Sequence, residues 1–301
     1  MRIGLFLGSP PKLDVLLDGV RSAHDRGFAA VWVAQTFGLD ALTALALAGS
    51  QVPDIELATG VVPTFPRHPG MLAGQALTVQ AATANRLTLG IGLSHRPVVE
   101  GMWGYPWDKP ARHLREYLEA LVPALRGENL AYRGETITSV GQIGVAGVTA
   151  PPVLVAALGE QTLRITGRLA DGTVTWMVGL RTLADHTVPI LTAAAEAAGR
   201  PAPRVAVGLP ICVTDDVDAA RARANKSFAI YGQLPSYRAM LDREGAAHPG
   251  DVAILGDEDT VRAGVTAIAD AGGTDFAASV FGSAEEQART TALLAEIAAG
   301  R

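Results

Sequence analysis

Ser94 and His95 stand side by side in "LTLGIGLSHRP" (87–97), where a glycine-spaced apolar run gives way to polar residues. Small residues such as Gly92 let a backbone approach a ligand, and a hydroxyl next to an imidazole can donate and accept hydrogen bonds there. The same residues also describe an ordinary strand exit with a solvated histidine. A second stretch, "AALGEQTLRITGRLADG" (156–172), turns at Gly159 into a helix that should begin near Glu160. Free N–H groups at a helix amino terminus bind phosphate, which makes Leu158, Gly159, Glu160 and Gln161 candidates. The Glu160 carboxylate must point away for that to work, and a capped helix without a ligand fits the same residues. A third stretch, "LATGVVPTFPRHPG" (57–70), opens as a buried run and then spends three prolines in a few residues. Gly60 can take unusual backbone angles there, while Pro63 and Pro66 force extended geometry and a stop.

Several chemistries are excluded by what is missing. The chain has 22 arginines but only Lys12, Lys109 and Lys226 as lysines, and none lies on a segment that reads as a strand. A Schiff-base lysine at a barrel strand's carboxyl end is therefore not expected. The single cysteine, Cys212, rules out an intrachain disulfide and reads as a buried strand residue. His24, His113, His186 and His248 follow no metal-ligand spacing and are expected at the surface, so no metal site is predicted. Net charge is −5 and no basic run is interleaved with aromatics, so nucleic acid is not an expected partner. The amino terminus "MRIGLFLGSPPKLD" fits neither a secretory signal nor a membrane span, which points to a cytoplasmic location.

The elements that must hold these residues alternate in type. Eight short apolar runs, "RIGLFL" (2–7), "AAVWVA" (29–34), "IELATGV" (55–61), "LTLGIG" (87–92), "PVLVAA" (152–157), "GTVTWM" (172–177), "RVAVGLPICV" (204–213) and "TDFAASVF" (274–281), are separated by amphipathic segments. That alternation predicts an α/β fold, a (β/α)8 TIM barrel formed by one domain over 1–301. Leu114, Leu118, Leu121 and Leu125 mark one helix face, which Pro123 should kink or shorten. Three connections are longer than a barrel needs: 93–110 after strand four, 127–151 before strand five with a small hairpin, and 214–256 after strand seven. The last reads as a lid or an oligomer contact.

The strand-end "TGV" followed by "RHP", then "NRLTLGIG" with its "SHRP" loop, then "AALGEQTLRITGRLADG", resemble in order the luciferase-like monooxygenase superfamily. They are most similar to its branch of oxidoreductases dependent on the deazaflavin cofactor F420. The resemblance implies a cofactor ring at the barrel's carboxyl face, its back on a bulge in strand three. That bulge, Thr59, Gly60 and Val61, would contain a non-proline cis peptide at Gly60–Val61. The resemblance places Gly92, Leu93, Ser94 and His95 along the ribityl chain, and Ala157 to Gln161 at the phosphate. Gln35 at the end of strand two and Trp176 at the end of strand six would line the ring pocket.

One departure from the family pattern stands out. Strand two of many relatives ends in a histidine facing the ring, and here Gln35 and Thr36 take its place. Thr36, His95, Tyr105 or solvent is then left as proton donor. Asp40 reads as the start of the next helix, while Phe37, Trp103 and Trp107 could wall the pocket. The expected activity is hydride transfer between F420 and a small to medium, partly apolar substrate. FMN-dependent monooxygenation and non-catalytic flavin binding are the alternatives. A homodimer, common among relatives, is a further expectation, and the alanine-rich "LTALALAG" (42–49) could pack against a partner or equally face the barrel.

Overall fold

The computed structural model describes residues 1–300. Its strands, in chain order, are β1 (Arg2–Gly8), β2 (Ala30–Val33), β3 (Glu56–Thr59), β4 (Val62–Pro63), β5 (Leu87–Gly92), β6 (Leu130–Arg133), β7 (Thr138–Gly141), β8 (Val153–Val155), β9 (Gly172–Trp176), β10 (Arg204–Val213), β11 (Ile254–Gly256) and β12 (Asp275–Val280). Eight of them close a parallel ring: β1, β2, β3, β5, β8, β9, β10 and β12, with β12 returning to β1. Each apolar run read from the sequence is one of these staves. The (β/α)8 barrel is therefore the fold, and helices wrap it on the outside.

Period-two alternation sorts the barrel residues. Ala30, Trp32, Ala58, Leu154, Val174, Ala206 and Ala277 point inward and form the interior layer. Four alanines around Trp32 leave the volume that its indole fills. The alternate residues, such as Val31, Val33 and Leu57, face the helices. Helix starts are set by local chemistry. Asp40 accepts from the Thr43 N–H at 2.9 Å and opens the helix Ala41–Gln51. Ser283 and Glu286 form a reciprocal capping box for Ala284–Ala298.

The amino-terminal end of the barrel is closed by ions. The Arg204 guanidinium donates to Asp275 at 2.7 Å, Glu56 at 3.0 Å and Thr88 at 3.2 Å, and Arg2 reaches both carboxylates from outside. Three departures from the plain barrel carry the extra residues. A short helix, Arg96–Gly101, follows β5; β6 and β7 pair as an antiparallel hairpin; and two helices, Val217–Ser227 and Pro235–Glu244, with β11, lie between β10 and β12. Pro123 falls three residues from the start of the chain's exit from its helix, which ends at Leu125. In "LTALALAG", Leu42, Ala44, Leu45 and Ala48 are buried inside the protein, while Leu47 is exposed. No described helix is long and apolar enough to cross a membrane.

Candidate functional site

The third strand is bulged at its carboxyl end. Pairing runs to Ala58 opposite Thr88 and resumes, through β4, at Val62 opposite Ile91. Three residues on one side thus face two on the other, the definition of a β-bulge. The Gly60–Val61 peptide bond is cis, at the position implied by the resemblance. The neighbouring strand is cut to fit. A Cβ on Gly90 would overlap the Thr59 carbonyl, and one on Gly92 would come 2.7 Å from the Val61 side chain. The spacing "LGIG" is therefore a requirement of the bulge. The Gly60 N–H is satisfied by the Val33 carbonyl at 2.8 Å, but among the described residues the Val61 N–H has no hydrogen-bond partner.

Beside the bulge lies a cavity of about 520 Å³, at the carboxyl ends of the strands where barrel active sites sit. Phe6 and Trp176 stack across its base with ring centroids 5.1 Å apart. On the β2 side the Thr36 hydroxyl donates to Ser9 at 2.8 Å, and the Gln35 amide oxygen accepts from the Ala41 N–H at 2.7 Å. Gln35 thus lines the cavity while serving the next helix. On the β5 side Ser94 adopts φ +64°, in the left-handed region that non-glycine residues rarely enter, and His95 follows it. Opposite the barrel, Phe228, Ile230, Tyr231, Leu234 and Tyr237 form the cover. The segment after β10 read as a lid does line this cavity.

The structure brings together Gln35, Thr36, Gly60, Val61, Ser94, His95 and Trp176 from the expected set. The others lie apart from it. Thr59 points out of the barrel, where its hydroxyl both donates to and accepts from the Gly90 backbone at 2.8 Å. Gly92 makes room for Val61, Leu93 packs on the outer core, and Ala157 is buried in that core while Ala156 takes its place in the wall. Tyr105 is 42% exposed and does not line the cavity; of the loop aromatics only Trp103 does, because Trp107 stacks on Phe65 instead.

Leu158, Gly159, Glu160 and Gln161 lie beyond the cavity wall at the start of the helix Glu160–Leu169. The Leu158 carbonyl is bonded to His186 Nε2 at 2.9 Å, and the Glu160 carboxylate is held back along the helix by Arg164 at 2.7 Å. The amide groups of Glu160 and Gln161 have no hydrogen-bond partner among the described residues. Two histidines expected at the surface are buried. His113 is stacked on Phe65 at 4.1 Å and bonded to Thr64, and His186 pins the Leu158 loop. Tyr231 and Tyr237 were not anticipated at the site. Their contribution depends on long-range packing, and the only local signal is the clustering of Phe228, Tyr231 and Tyr237 in one inserted stretch.

The cavity is electrically quiet. Among the described residues no lysine, arginine, aspartate or glutamate lines it. Burial pushes the His95 imidazole below the usual histidine range and the Tyr231 and Tyr237 phenols above theirs. All three are neutral near pH 7. No group of three or more metal-ligating side chains occurs among the described residues.

The chain is thus a closed parallel (β/α)8 barrel whose third strand bulges beside a cavity at the carboxyl ends of the strands. The chain belongs to the luciferase-like monooxygenase family, whose model matches residues 1–299. A putative coenzyme F420-dependent oxidoreductase of Mycobacterium tuberculosis is 31% identical over 191 residues, 57% of this chain and 54% of that one. Among solved structures, the coenzyme F420-dependent tetrahydromethanopterin reductase of Methanopyrus kandleri superposes with a TM-score of 0.82 at 21% identity, covering 98% of this chain and 97% of that one. The oxygenating constituent of 3,6-diketocamphane monooxygenase of Pseudomonas putida, solved with FMN, gives 0.78 at 17% identity, covering 99% and 96%.

Proposed function

We propose that the protein is an F420-dependent oxidoreductase acting on a small to medium organic substrate. The observation that carries the reading is the Gly60–Val61 bulge, which lines an uncharged cavity of ligand size. The 31% identical mycobacterial relative supports F420 as the group held there. When bound, reduced F420 supplies a hydride to an electrophilic carbon of the substrate.

The residues present fit such a cofactor. A flat ring suits the space between the bulge and the aromatic cover, where Gly60 and Val61 would support one face. Since no cation lines the cavity, the unpaired amides of Glu160 and Gln161, beyond its wall, would hold the cofactor's ionised tail. The chain's own contribution is orientation, exclusion of water by Phe228, Leu234 and Tyr237, and a neutral imidazole at His95 able to pass a proton. Thr36, bonded to Ser9, is one of several hydroxyls on the wall, with Ser94, Thr175 and Ser279 among the others; Tyr105 has no part in it.

FMN is the second reading, favoured by the likeness to the Pseudomonas putida barrel and carrying oxygen chemistry instead. Fluorescence titration with oxidised F420 and, in parallel, with FMN separates the two. Micromolar or tighter F420 binding with FMN ignored is the expected result, and the opposite preference moves the protein to the flavin branch. Binding of neither overturns both. The cytoplasmic location and the homodimer stand as part of the same proposal, and sedimentation of the purified protein checks the second.

A further inference from the structure

Granted the deazaflavin reading, the walls of the same cavity also restrict the molecule that meets the ring. We infer that the substrate is an uncharged, predominantly apolar carbonyl compound, whose oxygen is met by His95. Three observations converge on this. First, much of the cavity lining is apolar, with Phe228, Ile230, Leu234, Val98 and Trp103 in it beside the phenols of Tyr231 and Tyr237. Second, among the described residues no side chain of either charge lines it, so a phosphate or carboxylate drawn inside would shed its hydration and find no counter-ion. Burying an unpaired charge costs several kcal/mol, enough to separate charged from uncharged ligands by more than about 100-fold. Third, the mouth itself is apolar: Phe37 and Ile230, both lining residues, are 67% and 54% exposed.

Among the polar groups that line the cavity, Ser94, Thr36 and Ser279 included, His95 is the one that offers an imidazole. Its ring leans on that of Tyr237, with centroids 5.7 Å apart, and has no hydrogen bond to the protein among the described residues. Burial keeps the imidazole neutral, so it offers one N–H donor and one acceptor. A carbonyl oxygen needs one such donor, whereas a carboxylate or phosphate needs several and a balancing charge. The inserted cover comes from one stretch, and His95, with Val98 and Trp103, from another.

The test compares three probes of similar shape, 2-cyclohexen-1-one, cyclohexene and cyclohex-1-ene-1-carboxylate, by tryptophan fluorescence of the purified protein, alone and with F420 added. The ketone is expected to bind at least 100-fold more tightly than the carboxylate. His95→Phe should weaken the ketone about tenfold and leave cyclohexene unchanged. Ile230→Arg, at an exposed position on the mouth, should narrow the ketone-to-carboxylate ratio by tenfold or more. Equal or tighter binding of the carboxylate, or binding of neither, overturns the inference. Selectivity for the ketone in a protein that ignores F420 sinks the deazaflavin reading and leaves the substrate class standing.

Discussion

The Thr59 hydroxyl replaces the ladder that the bulge removes: it donates to the Gly90 carbonyl and accepts from the Gly90 N–H, each at 2.8 Å. Thr59→Val keeps the shape and strands both Gly90 groups in a dry interior. Urea unfolding should show a loss of about 1–3 kcal/mol, recovered in large part by Thr59→Ser. An unchanged midpoint in the valine variant would show that the hydroxyl is not what holds β3 to β5.

Gly90 and Gly92 should answer differently to alanine. The first substitution drives a methyl into the Thr59 backbone and is expected to prevent folding. The second meets the Val61 side chain at 2.7 Å and the Ala156 Cβ at 3.2 Å, with no backbone among them, so Gly92→Ala should fold with a stability loss on the order of 1–3 kcal/mol. Because Val61 lines the cavity, cofactor affinity should fall by about tenfold in the same variant, as measured by fluorescence titration.

Glu244 anchors the cover. Its carboxylate accepts from the Thr182 N–H and hydroxyl, each at 2.7 Å, and from the Arg181 N–H at 3.1 Å. A carboxylate at a helix amino terminus is a charge-assisted cap, here supplied from a different element. Glu244→Ala should raise amide hydrogen exchange across 228–244 and increase KM more than it lowers kcat. Exchange confined to wild-type rates would mean that packing alone holds the cover.

Stability should fall with acid through His113. Desolvation lowers this buried imidazole to about 4, against about 6.5 in an unfolded chain. Between those values the unfolded state binds the proton and the folded state does not. The contribution is therefore complete above pH 6.5 and is lost as pH falls toward 4, at most on the order of 3 kcal/mol. Urea midpoints for the wild type and His113→Gln across pH 7 to 4 check it, and parallel curves would exclude His113 as the source.

Much of the barrel is legible in the chain because buried parallel strands leave short apolar runs between amphipathic helices, and all eight runs are staves. The bulge is legible too, from "TGVVP" and the resemblance. Period-two alternation would also have separated Thr59, which faces the helices, from Ala58 and Gly60, which face inward. The hidden parts depend on tertiary contact. Nothing near His113 or His186 says that Phe65 and Leu158 will cover them. Gln35 looks like a stand-in for a lost histidine, but only the approach of Ala41 shows its amide committed to a helix start.

The aromatic cover, Phe228 to Tyr237, is contributed by the insertion between β10 and β12, while the bulge belongs to the third stave and the unpaired amides of Glu160 and Gln161 to the helix Glu160–Leu169. Ancestry can act on the two separately. Exchange of one contiguous stretch by recombination would give a descendant a different cover without asking it to relearn how to fold, so a lineage can diversify at this mouth while its barrel stays the same.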